Sequence, residues 1–444
     1  MTQSPEEMRA AEAGSAPCAS PVLPCRRTVL AGLAGMIAGP ARAASPAPAP
    51  VERFLDSVGV NVHLGSEPYR SRFDTVAALL ARSRIRHVRD ELRPGNDLAC
   101  WRHLHAAHGV RAQLLVSPAT NTVPEMLAYL DAVGPGSVSA IEGQNEGDSD
   151  WFMAQPAARP DWSGAVVAYQ RAVYQALRQR FDRATLPVVS PSIIDYKPQD
   201  VALIRGAAPF SDIVAIHSYV QGGQEPETAD DYAALSWYLT HMRDGFKPGA
   251  PVMSTEVGYC TRPVRGRSDV SEAAAGIYIP RLLLHNFSAG VQRTFLYELM
   301  DEGDDPREGE QHWGLVRPDG SPKPAYRAVS GLLGALAAPG EPAGGGPPIR
   351  AALPEAAPDL RSVAFVRPDG GTVLALWRAL RCWDPVRGVD LAVPDGPQRV
   401  LPSRRPARAR ILVPNDAEAW TDLAPRDGTV EVPVGAKVVL LWLI

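Results

Sequence analysis

The chain of 444 residues reads as an α/β protein: a (β/α)8 TIM barrel followed by a small C-terminal antiparallel β-sandwich. Three observations predict this. Eight short apolar runs alternate with segments of helical period between residues 51 and 336, roughly the length such a barrel takes. Most of those runs end in amide, imidazole or carboxylate groups. Past a Pro/Gly-rich stretch at 337–350 the helical period stops, and short strand-like segments separated by turn signals replace it.

Residues 1–43 precede the fold. Paired Arg26 and Arg27, a Gly/Ala-rich apolar stretch at 28–39 and the small-residue pattern Ala41-Arg42-Ala43 read as a bacterial export signal. The arginine pair, the long polar start and the weak hydrophobicity favour the twin-arginine route over the general secretory one. The stretch is too short to span a membrane, and no lipid-attachment cysteine follows it. The expectation is a periplasmic or secreted protein with no stable membrane anchor once the signal is removed. Residues 44–50, "ASPAPAP", form a Pro/Ala tether.

The barrel strands are expected at 58–63, 85–89, 112–117, 138–144, 186–191, 213–218, 252–256 and 294–298. Between them, Phe73, Val76, Ala77 and Leu80 share a helix face at i, i+3, i+4 and i+7. Trp101, Leu104 and His105 mark the next helix, and Met126, Leu127 and Leu130 the one after it. A longer helix follows at 166–181, then Leu235, Tyr238, Leu239 and Met242, then 277–284. An open doubly wound sheet fits the alternation too. However, "GVNVHLGSEPYR" around the first strand holds no G-x-G-x-x-G loop, so a dinucleotide fold loses its main support. The linker at 337–350 leads to the sandwich at 351–444, with strands at 362–366, 373–377, 388–393, 409–413, 430–434 and 437–443. That domain concentrates no acids or histidines and reads as structural, with glycan binding a secondary role.

A content of 45% hydrophobic and 21% charged residues describes a globular chain whose core needs no metal or disulfide. With a net charge of −4 and one short, interrupted arginine run at 404–410, no surface recommends nucleic acid as a partner. Past the signal, Cys100, Cys260 and Cys382 are spaced as neither a disulfide framework nor a zinc site. His103, His105 and His108 read as a solvated helix face, and Asp301, Glu302, Asp304 and Asp305 as a solvated loop rather than a calcium site. The reading calls for no cofactor and no metal.

In a barrel of this kind the working residues stand at the C-terminal ends of the strands. The first run ends in Asn61 and His63, the second in Arg89-Asp90-Glu91 and the third in Ser117. The fourth ends in Asn145-Glu146, the sixth in His217-Ser218-Tyr219, the seventh in Thr255-Glu256 and the eighth in Tyr297-Glu298. The fifth offers only Ser190 and Ser192. Glu146 and Glu256 would face each other across one mouth. Glycosidic bond hydrolysis needs such a pair, one acid to protonate the leaving oxygen and one carboxylate to attack the anomeric carbon. The two must differ in proton affinity. Arg89 and Tyr219 are placed to hold Glu256 as a carboxylate, and Asn145 to bind the sugar 2-hydroxyl. His217 and Tyr219 share a face by the period of two. Trp151 and Phe152, just behind Glu146, could stack on sugar rings or anchor their loop.

The set Asn145-Glu146, His217-x-Tyr219 and Glu256, with Arg89 on the second strand, resembles clan A glycoside hydrolases over about residues 55–335. Within the clan it looks most like glycoside hydrolase family 39 and its bacterial exopolysaccharide-degrading relatives. The stretch "YELMDEGDDPREGEQHWGLVRPDGSPKPAYRAV" is the closest match. The resemblance implies Glu146 as acid/base, Glu256 as nucleophile, and Arg89 near the nucleophile. Many clan members carry a Trp at the end of strand eight as the sugar floor. Here Tyr297-Glu298 occupies that place and Trp313 lies farther along.

The expected function is an exported, retaining O-glycosyl hydrolase, endo-acting on exopolysaccharide by double displacement, with a carbohydrate substrate and no other named partner. The rivals are an exo-acting β-glycosidase of xylosidase type, an endoglucanase resembling family 5, and a non-catalytic glycan-binding barrel. A lone Asn-Glu dipeptide carries little weight. Its joint placement with Glu256, His217, Tyr219 and Arg89 is what makes the reading specific.

Overall fold

A computed structural model describes residues 47–93, 95, 97–228, 234–264, 266, 269–338 and 347–444. The expected export signal, the start of the tether and the middle of the 337–350 linker lie outside the described residues.

Eight parallel strands form the barrel: Val58–Asn61, His87–Glu91, Arg111–Leu115, Val138–Glu142, Val188–Val189, Val214–His217, Val252–Val257 and Arg293–Leu296. The first five strands pair in sequence order, as do the last three, and the first pairs with the eighth. The fifth strand has only two residues, and a single Val189–Ile213 bridge closes the ring toward the sixth. Side chains alternate across a strand, so every second residue enters the barrel. At the bottom, Ala140, Val189, Ile213, Ala215, Met253 and Phe295 form an apolar plug separate from the surrounding core. Phe295 fills the space beside Gly59, where an added Cβ would come within 2.4 Å of the ring. Above the plug the interior turns polar. Asn61 pairs in register with Arg89, Arg89 with Gln113, and Leu115 with Glu142.

The helices outside are fixed at their ends by side chains. Thr122 and Glu125 form a reciprocal capping box, and Asp161 and Ser271 cap the two 17-residue helices Trp162–Arg178 and Glu272–Ser288. Each such cap stabilises its helix by about 1 kcal/mol. Trp101 and Leu104 are buried, while His103 and His108 face solvent.

The C-terminal region is two antiparallel sheets. The larger runs Ala49–Pro50, Leu360–Val366, Thr372–Arg378, Val439–Leu443, Ala409–Leu412, Thr421–Asp422, with the Ala49–Pro50 pairing parallel. The smaller runs Ala351–Ala352, Gly396–Pro402, Val430–Val434. Leu374, Leu376, Val400, Val432 and Leu441 fill the space between them. The other face of the large sheet packs on the barrel, with Phe365 against Phe54 and Phe287 at 5.2 and 5.8 Å.

Three expectations change. The end of the tether is not free, because Ala49–Pro50 is an edge strand of the large sheet. The strand expected at 388–393 reduces to Val389–Asp390, an exposed hairpin partner of Trp383–Asp384 outside both main sheets. The strand that fills its place, Gly396–Pro402, is bracketed by prolines and reads as loop. Asp301, expected in a solvated loop, is buried, with Lys323 Nζ and the Gly314 N–H each 2.7 Å from its Oδ1. All three described cysteines are free thiols.

Among the contacts that tie barrel and sandwich, one is a buried charged node. Arg281 donates to both oxygens of Glu227, at 3.0 and 2.5 Å, and to Leu380 O at 2.9 Å. Trp377 Nε1 on the large sheet also donates to Glu227, at 2.5 Å.

Candidate active site

Arg89 organises the mouth of the barrel. Its guanidinium is buried and fully engaged. Nε and Nη2 donate to Glu142 at 2.8 and 3.0 Å. Nη1 donates to Glu256 Oε1 at 2.6 Å and to Asn61 Oδ1 at 2.9 Å, and Nη2 to Asn145 Oδ1 at 2.7 Å. Tyr219 donates to the other oxygen of Glu256 at 3.0 Å. Glu256 thus stands at the end of its strand with one cationic and one phenolic donor on its two oxygens. Burial raises the Tyr219 hydroxyl well above its ordinary value, and the Glu256 charge raises it further, so Tyr219 stays a donor.

Glu146 lies four residues past the end of its strand, in a loop, with a left-handed φ of 42°. A non-glycine residue in that region is held there by its surroundings. The holding groups are identifiable. The Glu146 N–H donates to Ser192 Oγ at 2.9 Å, and Gly147 N–H to Ser192 O at 3.2 Å. Two residues on, the Asp148 carboxylate accepts the N–H groups of Ile194 and Asp195 at 2.7 and 3.0 Å.

His217 lies between the two acids. Its Nδ1 is 2.8 Å from Glu146 Oε1 and 3.6 Å from Glu256 Oε2. The ligand atoms of these three side chains all fall within 4.8 Å of one another. Burial pulls the imidazole down, but the Glu256 charge and the contact with Glu146 outweigh it, and the net shift is upward. Burial pushes Glu146 up, but the His217 hydrogen bond and the His217 and Arg89 charges leave it lowered. At 2.8 Å the two groups are close enough to pass a proton between them.

A cavity of about 490 Å3 opens over these groups, lined among others by His63, Asn145, Glu146, Tyr219, Glu256, Tyr297 and Trp313. Trp313, sixteen residues past Tyr297 in sequence, packs edge-on against Tyr219 and Tyr297 at 5.2 and 6.2 Å. Tyr297 and Trp313 both line the cavity.

Three sequence-derived candidates fall elsewhere. Glu298 is fully buried and does not line the cavity. It sits behind His63, its Oε2 3.4 Å from His63 Nε2, and accepts the Tyr69 hydroxyl at 2.7 Å. Burial and the neighbouring Glu302 and Asp301 push its carboxyl well up. With His63 and Glu302 it forms a cluster whose ligand atoms lie within 4.8 Å of one another. Burial, with the Arg89 charge, lowers His63 to about 4, so its ring is neutral. Trp151 lines an adjoining cavity rather than this one. Phe152 is fully buried and anchors its loop.

Sequence reasoning passed over Glu142 and Glu310, and named Asn61 and Ser192 as strand-end groups without giving them a role. Glu142 and Gln113 point inward on adjacent strands, 2.5 Å apart. A charged residue in a barrel strand, four residues before Glu146, was the available signal. Glu310 reaches the cavity from the loop after strand eight. Burial raises it, as do the Glu256, Glu308 and Glu146 charges.

No family model and no curated protein matches the chain. Among solved structures, it is similar to a family 39 glycoside hydrolase from the gut symbiont Bacteroides cellulosilyticus WH2, with a TM-score of 0.59, 16% identity, and coverage of 90% of this chain and 83% of that one. The chain shares that glycoside hydrolase fold. A glucosidase from Croceicoccus marinus is also similar, with a TM-score of 0.57, 9% identity, and coverage of 83% and 91%. At these identities the likeness is one of architecture.

Proposed function

We propose that the protein is a retaining glycoside hydrolase with Glu256 as nucleophile and Glu146 as acid/base. The observation that carries this is the placement of the two carboxylates. They meet in one cavity with ligand oxygens within 4.8 Å, the short separation expected of double displacement rather than of direct attack by water. In the first step a Glu256 oxygen bonds to the anomeric carbon as the bond to the leaving oxygen breaks. That oxygen takes the proton of the Glu146–His217 pair. The Glu256 charge is consumed in the new bond, and with it the largest attraction holding the proton on His217. The imidazole therefore releases its proton toward Glu146 as the step proceeds. In the second step water attacks the anomeric carbon, its proton passes to Glu146, and Glu256 leaves as a carboxylate.

The substrate class is an exopolysaccharide outside the cytoplasm, cleaved internally. Two further cavities, of about 340 and 210 Å3, adjoin the first and share Glu91 and Arg93 with it. A run of connected cavities suits a polymer interior better than a chain end. The export-type first 43 residues support action beyond the membrane, and no described helix is long and apolar enough to cross one.

The test is digestion of a glycan panel, including bacterial exopolysaccharide, laminarin, mixed-linkage β-glucan and xylan. Glu256→Gln is expected to lose about 10^4-fold or more in rate, and Glu146→Gln to lose most on poor leaving groups. Cleavage by both variants at the wild-type rate would end this reading.

A further inference from the structure

Trp151 is half exposed, at 53%, on the short helix Asp150–Met153. Its neighbours hold it rigidly there. Ser149 caps the helix, Phe152 beside it is fully buried, and Asp148 pins the loop to Ile194 and Asp195. Trp151 lines a cavity of about 340 Å3 together with Ser117, Gln144, Asn145, Glu146 and Ser149. That cavity shares Asn145 and Glu146 with the main one but touches neither Glu256 nor Tyr219.

The direction follows from the chemistry. The acid delivers its proton to the leaving oxygen, so the departing sugar lies on the side of Glu146 away from Glu256. The Trp151 cavity reaches Glu146 but not Glu256. Its polar groups suit sugar hydroxyls: Ser117 Oγ donates to Gln144 Oε1 at 2.5 Å, and Gln144 Nε2 to Asn145 O at 2.6 Å. An aromatic face beside such groups matches a pyranose, which has apolar faces and a polar rim.

Resting on the glycosidase reading, we propose that this cavity is the leaving-group sugar site, with Trp151 as its stacking platform. By microscopic reversibility it also seats a sugar acceptor. An acceptor hydroxyl there attacks the anomeric carbon of the glycosyl–Glu256 ester and gives its proton to Glu146. The bond to Glu256 breaks, and a disaccharide-extended glycoside forms in place of the hydrolysis product.

An internal competition tests this. Wild type, Trp151→Ala and Trp151→Phe are given whichever 4-nitrophenyl β-glycoside the wild type cleaves fastest among the glucoside, galactoside, mannoside and xyloside. Methanol and cellobiose are both present as acceptors, and the products are quantified by mass spectrometry. Methanol cannot use the platform, so the ratio of cellobiose adduct to methyl glycoside reads the site independently of turnover. Trp151→Ala is expected to lower that ratio about tenfold, with Trp151→Phe restoring most of it. A Trp151→Ala ratio within twofold of wild type, in a protein that Glu256→Gln inactivates, overturns the site and leaves the glycosidase reading intact. Failure of the wild type on every glycoside and on the polymer panel removes both.

Discussion

Glu142→Gln tests the architecture beneath the site without touching the cavity. Glu142 is fully buried and does not line it. It takes two of the hydrogen bonds of Arg89, at 2.8 and 3.0 Å, and one from Gln113 at 2.5 Å. Removing one member of a buried ion pair costs roughly 3–5 kcal/mol. Gln keeps the shape and one acceptor, and Arg89 keeps Glu256 as a counterion, so about 3 kcal/mol is expected. The new amide N–H faces one of the guanidinium N–H groups, and Arg89 must tilt away. A displacement of ~1 Å at a group that holds the nucleophile costs about 10^2-fold in rate. Chemical denaturation measures the first effect, and kcat/KM on the best substrate measures the second. A variant that unfolds at the wild-type midpoint and turns over at the wild-type rate would refute the claim that Glu142 positions Glu256 through Arg89.

Other outcomes follow from the charges described above. His217 is raised above its ordinary 6.5, and the acid step needs the proton it shares with Glu146. The kcat/KM should therefore hold below that raised value and fall as pH climbs through it, and His217→Asn should displace the alkaline limb. An unmoved limb would detach His217 from the proton. Burial lowers His87 to about 4, despite its contact with Asp56, which Arg293 already neutralises. The unfolded chain takes up that proton near 6.5, so stability is full above 6.5 and is lost as pH falls toward 4. The loss is about 3 kcal/mol, and His87→Gln should remove it from a urea titration at pH 7 and pH 4. Asp301→Asn leaves buried Lys323 with Thr261 as its remaining partner and should destabilise by about 3 kcal/mol in the same measurement, with an unchanged midpoint counting against the pair.

The barrel was legible because most of its strands lie in short apolar runs that end in polar groups reaching the mouth. Glu146, Glu256, Arg89, His217 and Tyr219 converge as their strand positions imply. Residues whose meaning depends on distant partners were not legible. Ser192 looks like a spare hydroxyl until it is seen holding the strained backbone of Glu146. Glu142 sits inside an apolar strand pattern, where period alone does not distinguish a buried acid from a misplaced one. Trp313 returns to Tyr297 only through the fold of an intervening loop. Glu298, adjacent to Tyr297, is buried behind His63 and bonded to Tyr69, which neighbouring sequence does not announce. In the sandwich, proline pairs at Pro397 and Pro433 face each other across a ladder, so a true strand carried a loop's composition.

The pairing of Ala49–Pro50 with Phe365 and Val366 has a consequence for how the chain is made. The residues that lead into the first barrel strand leave the ribosome early, while their partner strand appears only after the whole barrel has been synthesised. The Glu227–Arg281–Trp377 node waits for the same late segment. A nascent chain stopped at the end of the barrel would hold an unclasped amino-terminal segment and a buried arginine–glutamate pair open to water. Completion of the last domain therefore fastens the beginning of the protein, and a truncated product is recognisable at its amino-terminal side, next to the segment expected to direct export.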